Sequence, residues 1–400
     1  MKVIISKGVA NGEINAIPSK SYAHRLILAS ALSNQPCKID NVKFNNDVKA
    51  TLNCIKALSK NFSIEGDSIS LFGGINLSND STFDCLESGS TLRFIIPIAL
   101  ALTKKATFCG TERLIERGIG VYEKIFSGQV EFIKEKDKII TKGQIKSGEY
   151  RIKGNISSQF ITGMLFALPL LDGDSTIKII PPFESKDYVL LTLDVLKRFG
   201  VKIDNLGERS YKIYGNQTYK AVDSVVEGDW SNGAFMHALN VIGGKVSVLG
   251  LDDESLQGDK NCVEIFEKLR KGYAKINLKN TPDLAPISFA IAGAMGGAKF
   301  VGTKRLKIKE SDRASAMKQE LSKFGVLVKV SRNSVKVYNS QLKAPTEAIN
   351  GHNDHRIVMA TAVLLTLVGG EIEGAEAINK SYPNFFGDLQ KLGIEVIKNA

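Results

Sequence analysis

The sequence predicts a two-domain α/β protein of six repeated units, with helices inside and sheets outside. Three observations carry that prediction. One pattern, a helix end, a Gly or polar break, a strand, a polar turn and a second strand, recurs six times over the 400 residues. Amphipathic or strongly apolar helix candidates lie ahead of the copies. Two of those helices are apolar nearly all round; a surface helix cannot be, so they belong in the middle and the sheets are left to form the outside.

In chain order the copies are LSKNFSIEGDSISLFG from Leu58, FSGQVEFIKEKDKIITKG from Phe126, LKRFGVKIDNLGERSYKIYG from Leu196, LRKGYAKINLKN from Leu269, LSKFGVLVKVSRNSVKVYNS from Leu321 and LQKLGIEVIKN from Leu389. The third and fifth match best. Their starts lie 68, 70, 73, 52 and 68 residues apart. A unit of about 67 residues is longer than a solenoid repeat, so these are small α/β units. The helix candidates are Ser21 to Leu32, Asp47 to Leu58, Ser90 to Leu102, Ser157 to Leu171 and Asp187 to Phe199. Asp47 stands as a cap before Val48, Leu52, Ile55 and Leu58, a helical stripe buried on one side. The strands alternate instead, as in Val201 and Ile203 and then Tyr211 and Ile213. Ser90 to Leu102 and Ser157 to Leu171 are the helices with no polar face. Because a single core stops growing at about 250–300 residues, the six units divide into two groups of three.

Composition narrows the class. With 43% hydrophobic and 24% charged residues the chain has material for two cores, and a disordered or fibrous protein is excluded. The longest uninterrupted apolar run, Phe94 to Leu102, is nine residues and contains Pro97. A bilayer span needs about 20. Residues 1–21 lack the apolar core and small-residue cleavage site of an export signal, so the cytoplasm is the expected compartment. Cys37, Cys54, Cys85, Cys109 and Cys262 are odd in number, scattered and never in C-x-x-C spacing, which argues against a disulfide framework and a zinc site. They are expected to be reduced and mostly in the core. Lys and Arg, 53 in all, exceed the 42 Asp and Glu to give +11, which suits phosphorylated or carboxylated small molecules, or plain solubility. The basic residues are scattered and no aromatic RNA-binding motif occurs, so nucleic acid is not an expected partner.

Candidate chemistry sits where short polar clusters open apolar helices. Pro18-Ser19-Lys20-Ser21-Tyr22-Ala23-His24-Arg25 starts a helix whose free N–H groups and dipole favour an anion, and Lys20 and Arg25 add full charges. Glu87-Ser88-Gly89-Ser90-Thr91-Leu92-Arg93-Phe94 turns into an apolar helix through Gly89, where a ligand can approach the backbone. Ser157-Ser158-Gln159-Phe160 puts two hydroxyls and an amide at a third helix start, more than one cap requires. Between Lys304 and Arg313 five cations interleave with two carboxylates, which is either a solvated face or a site needing proton donors and phosphate clamps together. His352 and His355 flank Asn353-Asp354 at metal-like spacing, but no further ligand stands at a fitting distance. An anion site at a helix start is expected there, and no metal. Each cluster alone reads as surface charge, tight turn or cap; recurrence across both halves points to a site for small anions.

In order and approximate position, PSKSYAHR, ESGSTLRF, SSQF, PDLAP, RLKIKESDR, NDHR and NKSYP resemble the motifs of the 3-phosphoshikimate 1-carboxyvinyltransferase family, also called 5-enolpyruvylshikimate-3-phosphate synthases, over the full 400 residues. The resemblance implies a two-domain inside-out α/β barrel of six βαβαββ-like repeats, three per domain, which is the enolpyruvyl transferase fold. By the same resemblance the crossovers lie near Pro18 to Lys20 and Glu227 to Trp230, with the active site in the cleft between domains. One domain is then discontinuous, residues 1–18 and 229–400, and residues 19–228 form an inserted domain. The implied reaction moves the enolpyruvyl group of phosphoenolpyruvate to the 5-hydroxyl of shikimate 3-phosphate through a tetrahedral intermediate that eliminates phosphate, on the shikimate route to chorismate and aromatic amino acids. Glyphosate competes for the phosphoenolpyruvate pocket in this family. No metal or organic cofactor is implied. The expected partners are the two small-molecule substrates, with no nucleic acid and no membrane, and the chain is expected to be a monomer.

Carried over by resemblance, shikimate 3-phosphate meets Lys20, Ser21, Arg25, Ser157, Ser158, Gln159, Ser185, Tyr188, Asp283 and Lys309. Phosphoenolpyruvate meets Lys20, Gly89, Arg117, Gln159, Arg313, Arg356 and Lys380. The residue types suit the chemistry, because phosphate and carboxylate call for planar guanidinium forks. Addition also needs two acid/base groups: Asp283 resembles the acceptor of the 5-hydroxyl proton, and Glu310 the acid near the methylene carbon, its protonated form favoured by burial. Lys20 is the other group for that second proton. Three positions depart from the family pattern: Gly118 stands where Pro commonly follows the arginine, Arg305 where some members carry Asn, and Glu87 where others have Asn. Two alternatives compete. The sister enolpyruvyl transferase acting on UDP-N-acetylglucosamine has Lys-Asn in place of Lys20-Ser21, and usually a loop Cys that the region around Arg117 lacks. An RNA-processing or other non-enzymatic member of the related repeat fold has the +11 charge alone in its favour.

Overall fold

The computed structural model describes residues 1–58, 61–75, 77 and 80–399; positions 59 and 60 of the first repeat copy lie outside the described residues. Contacts divide the chain into an inserted unit, Pro18–Glu227, and a discontinuous unit, Met1–Ile17 with the chain from Gly228 onward. Each has its own apolar core. In the inserted unit the Ser19 N–H donates to the Glu227 carbonyl at 2.8 Å, so its two ends meet; in the discontinuous unit the Asp229 N–H donates to the Ile17 carbonyl at 2.7 Å.

Four repeat copies, from Leu58, Phe126, Leu196 and Leu321, fold as a helix end followed by an antiparallel hairpin, for example Arg313–Lys323 and then Val328–Ser331 with Ser334–Val337. The copy from Leu389 supplies one strand, Val396–Asn399, whose antiparallel partner is Lys2–Ile5 from the other end of the chain. The copy from Leu269 departs from the expected pattern. After the helix Cys262–Arg270, Ala274–Asn277 forms no hairpin and pairs parallel with Ala298–Val301. Its segment has no second alternating run, which is why the next copy follows after only 52 residues.

Among the described residues there are six sheets, and five share one strand order: a parallel pair followed by two antiparallel neighbours. The sixth keeps the parallel pair alone, Asn11–Asn15 with Lys245–Leu249. Along many strands buried and more exposed residues alternate, as in Lys2–Ile5 and Glu149–Lys153, so one sheet face covers a core and the other meets solvent.

The helices without a polar face lie where that layering requires. In Gly89–Leu102 every residue except Ser90 and Leu102 is buried, and in Ser158–Ala167 every residue except Gln159. The second is shorter than the predicted span to Leu171; Pro169 has no N–H to continue it, and a 3-10 turn, Leu168–Leu170, follows. The two helices approach so closely that a Cβ on Gly163 would stand 2.3 Å from the Arg93 carbonyl oxygen. That carbonyl is left without a helical donor by Pro97, four residues on, and it accepts instead from the Tyr122 hydroxyl at 2.5 Å. The discontinuous unit repeats the arrangement with Ala285–Ala294 and His355–Val368, buried nearly throughout. Four of the five cysteines lie in the cores and Cys109 is half-buried. Among the described residues no helix is long and apolar enough to cross a membrane.

Candidate active site

In the inserted unit the charge is carried by helix starts. Lys20 opens the helix Lys20–Leu32, where Ser19 Oγ caps by accepting from the Tyr22 N–H at 3.4 Å. Lys20 Nζ pairs with Asp47 Oδ2 at 2.7 Å. The sequence reading makes Asp47 the cap of its own helix; the structure gives that place to Asn45, which accepts from the Val48 N–H at 3.0 Å and leaves the Asp47 carboxylate to hold Lys20.

Gly89 opens the next helix behind its cap, Ser88. A Cβ at Gly89 would stand 2.9 Å from both terminal nitrogens of Arg117, so these two predicted residues meet side chain against backbone. Gly118, after Arg117, has φ of +75°, a left-handed conformation closed to Pro, which accounts for the departure at that position. Gln159 joins two helices: Arg93 Nη1 donates to its Oε1, and its Nε2 donates to Ser90 Oγ at 2.8 Å. Ser157 caps the helix Ser158–Ala167 by accepting from the Gln159 N–H at 3.3 Å, and Ser158 is buried beside it. Arg25 is buried and tied down. It donates to the Ser21 carbonyl at 2.6 Å, to Thr192 Oγ1 at 2.9 Å and to the Tyr188 carbonyl at 3.1 Å, and burial lowers its pKa to about 10. Tyr188 lies on Lys186–Arg198, preceded by Ser185 at φ +54°.

Below these starts runs a buried chain: His24 Nδ1 lies 2.6 Å from Thr51 Oγ1, Thr51 Oγ1 lies 2.8 Å from Thr91 Oγ1, and Thr91 donates to Ser88 Oγ at 2.8 Å. Burial pulls His24 down to about 3, so its ring is neutral at pH 7. The chain fixes the Lys20, Asp47 and Gly89 helices to one another, side chain by side chain.

In the discontinuous unit the predicted residues form one ionic cluster. Asp283 lies in the turn Pro282–Leu284 ahead of Ala285–Ala294. Its Oδ1 is 2.9 Å from Lys309 Nζ and 2.7 Å from Arg313 Nη1, and Arg356 Nη2 is 3.5 Å from Oδ2. Burial raises the Asp283 pKa, but Lys309, Arg356 and Arg313 outweigh it and hold the carboxyl well below its ordinary range. Lys309 is itself lowered by burial. Arg313, only 1% exposed, also reaches Glu310 Oε2 at 2.5 Å and Asp354 Oδ2 at 2.9 Å. Glu310 is therefore paired with a guanidinium, where the sequence reading gives it surroundings whose burial favours the proton.

Arg356 follows Asp354, the cap of His355–Val368, which accepts from the Arg356 N–H at 3.0 Å. Arg356 Nη2 also donates to Ser231 Oγ at 2.8 Å, and Ser231 in turn donates to Asp259. Burial and then the charge of Asp283 push Asp259 up to about 6, against the pull of Arg356. Lys380 Nζ donates to the Asn353 carbonyl at 2.6 Å, one residue from Asp354. Arg305 is buried and donates to the Lys279 carbonyl. Among the described residues no group of three or more His, Cys, Asp or Glu side chains is placed to hold a metal.

Arg93, Ser231, Asp259 and Asp354 carry no role in the sequence reading, and Asp47 is read there only as a cap. Arg93 and Asp354 had a signal, since each is a charge at or inside a buried helix start within a motif already singled out. Ser231 and Asp259 had none, because their partners are distant in sequence.

Comparison with known proteins gives one answer. The family model described as "EPSP synthase (3-phosphoshikimate 1-carboxyvinyltransferase)" matches residues 6–389. A 3-phosphoshikimate 1-carboxyvinyltransferase of Clostridium kluyveri is 38% identical, over 98% of this chain and 98% of that protein. One of Clostridium novyi is 40% identical over 98% and 97%. In fold the chain is similar to the EPSP synthase of Acinetobacter baumannii, with TM-score 0.76 at 19% identity over 99% of this chain and 100% of the other.

Proposed function

We propose, since the chain belongs to the EPSP synthase (3-phosphoshikimate 1-carboxyvinyltransferase) family, that its two clusters share the handling of two phosphorylated acids. The protein is a transferase that moves the enolpyruvyl group of phosphoenolpyruvate to the 5-hydroxyl of shikimate 3-phosphate, releasing phosphate, in aromatic amino acid biosynthesis. Phosphoenolpyruvate is held by Lys20, Gly89, Arg117, Gln159, Arg313, Arg356 and Lys380. Shikimate 3-phosphate is held by Lys20, Ser21, Arg25, Ser157, Ser158, Gln159, Ser185, Tyr188, Asp283 and Lys309.

The observation that carries this reading is the Asp283 carboxylate gripped by Lys309, Arg313 and Arg356. A carboxylate so gripped is a weak base. An anion that draws those cations onto its own oxygens releases the carboxylate, so basicity arrives together with substrate and Asp283 then takes the 5-hydroxyl proton. Lys20, which meets Asp47, and Glu310, which meets Arg313, are the two alternatives for the acid at the methylene carbon, and Glu310, as an ion-paired carboxylate, has to take up a proton before it can give one. Both substrates are multiply charged and retained by lipid bilayers, which supports the cytoplasm as the place of work.

Phosphate release from phosphoenolpyruvate tests the reading directly. Release is expected with shikimate 3-phosphate and not with UDP-N-acetylglucosamine; the reverse pattern overturns it. Gly89→Ala tests the placement of phosphoenolpyruvate. The new methyl stands 2.9 Å from the Arg117 guanidinium nitrogens, too close to be tolerated, so the end of that side chain must move. The KM for phosphoenolpyruvate should rise by about tenfold, the usual scale for a small misplacement of a binding group, with weaker inhibition by glyphosate and an unchanged KM for shikimate 3-phosphate. Equal values in parent and variant contradict the placement.

A further inference from the structure

The helix Arg313–Lys323 grips the segment ahead of Arg356 at two points. Arg313 and Glu320 are seven residues apart, so they share a face of the helix, about 10 Å apart along its axis. At one end Arg313 holds the Asp354 carboxylate at 2.9 Å. At the other the Glu320 carboxylate, 0% exposed, accepts from the Asn350 N–H at 2.9 Å and from Lys323 Nζ at 2.8 Å, and pairs with His352 Nε2 at 2.7 Å. Between the two grips, His352 and Asn353 have φ of +49° and +48°. Two successive non-glycine residues in the left-handed region persist only where their surroundings over-determine them. The Asn350 side chain adds a further restraint, accepting from the His352 N–H at 2.7 Å.

This strained pair sets two groups of the ionic cluster. The Asn353 carbonyl is the acceptor of Lys380, and Asp354, next along, receives Arg313 and caps the helix that begins with His355-Arg356. We propose that Glu320 and His352 are positioning residues for phosphoenolpyruvate: they hold residues 350–354 so that His352 and Asn353 keep the left-handed conformation that aims Lys380 and Arg356. The inference rests on the assignment of Arg313, Arg356 and Lys380 to that substrate. Burial by itself raises the Glu320 pKa, and its contacts with His352, Lys323 and the Asn350 N–H outweigh burial and lower it, so Glu320 serves as an ionised clamp.

The test is steady-state kinetics on the full chain with Glu320→Ala, Glu320→Gln and His352→Asn. Asn tolerates positive φ, so His352→Asn permits the backbone conformation while removing the ring that reaches Glu320. In Glu320→Ala the KM for phosphoenolpyruvate should rise by about tenfold or more, with the KM for shikimate 3-phosphate within about twofold, because strain of this kind is worth a factor of that order. His352→Asn should show the same split on a smaller scale. Glu320→Gln, which keeps an oxygen for the Asn350 N–H, should recover part of the loss. Hydrogen exchange at residues 350–356 should quicken in both Glu320→Ala and His352→Asn. If Glu320→Ala does not fold, His352→Asn decides. Two KM values that rise together, or a phosphoenolpyruvate KM and exchange rates equal to the parent, overturn the inference while the parent's activity stands. A parent that releases no phosphate with shikimate 3-phosphate fails the functional reading instead.

Discussion

Asp283→Ala is expected to lower kcat by about 10²–10⁴-fold, the worth of a well-placed general base, while shikimate 3-phosphate still binds in calorimetry. The reason is the double duty of that carboxylate. It is the proposed acceptor of the 5-hydroxyl proton, and it is also the anion that neutralises Lys309, Arg313 and Arg356 before substrate arrives. Removing it takes away the base but leaves three cations less occupied, so anion affinity should hold or improve while turnover collapses. Asp283→Asn removes both duties while keeping the shape, since the amide neither accepts the proton nor balances the charge, and should lose turnover in the same way. A kcat within about threefold of the parent, too small for a lost base, removes Asp283 from the mechanism.

Arg313→Met carries the second large effect, and here stability and activity fall together. The side chain is 1% exposed and its guanidinium is shared by Asp283, Glu310 and Asp354. Deleting it leaves three carboxylates close together, one of them fully buried, and removing one partner of a buried ion pair costs about 3–5 kcal/mol. The loss should appear in urea unfolding as an earlier transition of the discontinuous unit, since each unit has its own core. The kcat/KM for phosphoenolpyruvate should drop by about 10²-fold or more, the scale of a truncated buried charge contact. Arg313→Lys restores the charge without the planar fork and should recover only part of either loss. An unfolding midpoint and a KM both equal to the parent's contradict the role given to this residue.

Most of the fold was legible because local pattern and tertiary placement agree. The alternation after Leu196 and Leu321 becomes the expected hairpins, and the absence of a polar face on Ser90 to Leu102 correctly puts that helix in the middle. The copy from Leu269 misled because a helix end and one apolar strand look alike whether or not a hairpin follows. Its strand pairs parallel with Ala298–Val301, a partner that no local signal names. The candidate site divides in the same way. Residues at helix starts, such as Lys20 and Gly89, announce themselves through the break that precedes them. Side chains that work by holding others do not: Asp47 looks like a cap until Asn45 takes the cap, and Asp259 lies far in sequence from the Ser231 and Arg356 that engage it. Glu310 is a case where burial alone suggests a protonated carboxyl, and no local signal says that the guanidinium three residues on meets it.

The strand Lys2–Ile5 lies between Gly370–Glu373 and Val396–Asn399. On the ribosome it is therefore made long before either neighbour and waits until residues 370–373 and 396–399 have been translated. Residues 18–227, by contrast, form a unit whose apolar core is all present once their own last segment has cleared the exit tunnel. Synthesis thus imposes an order, in which the inserted unit matures while residues 2–5 still await their sheet, and a chain released early yields one finished lobe and one that lacks strands of that sheet.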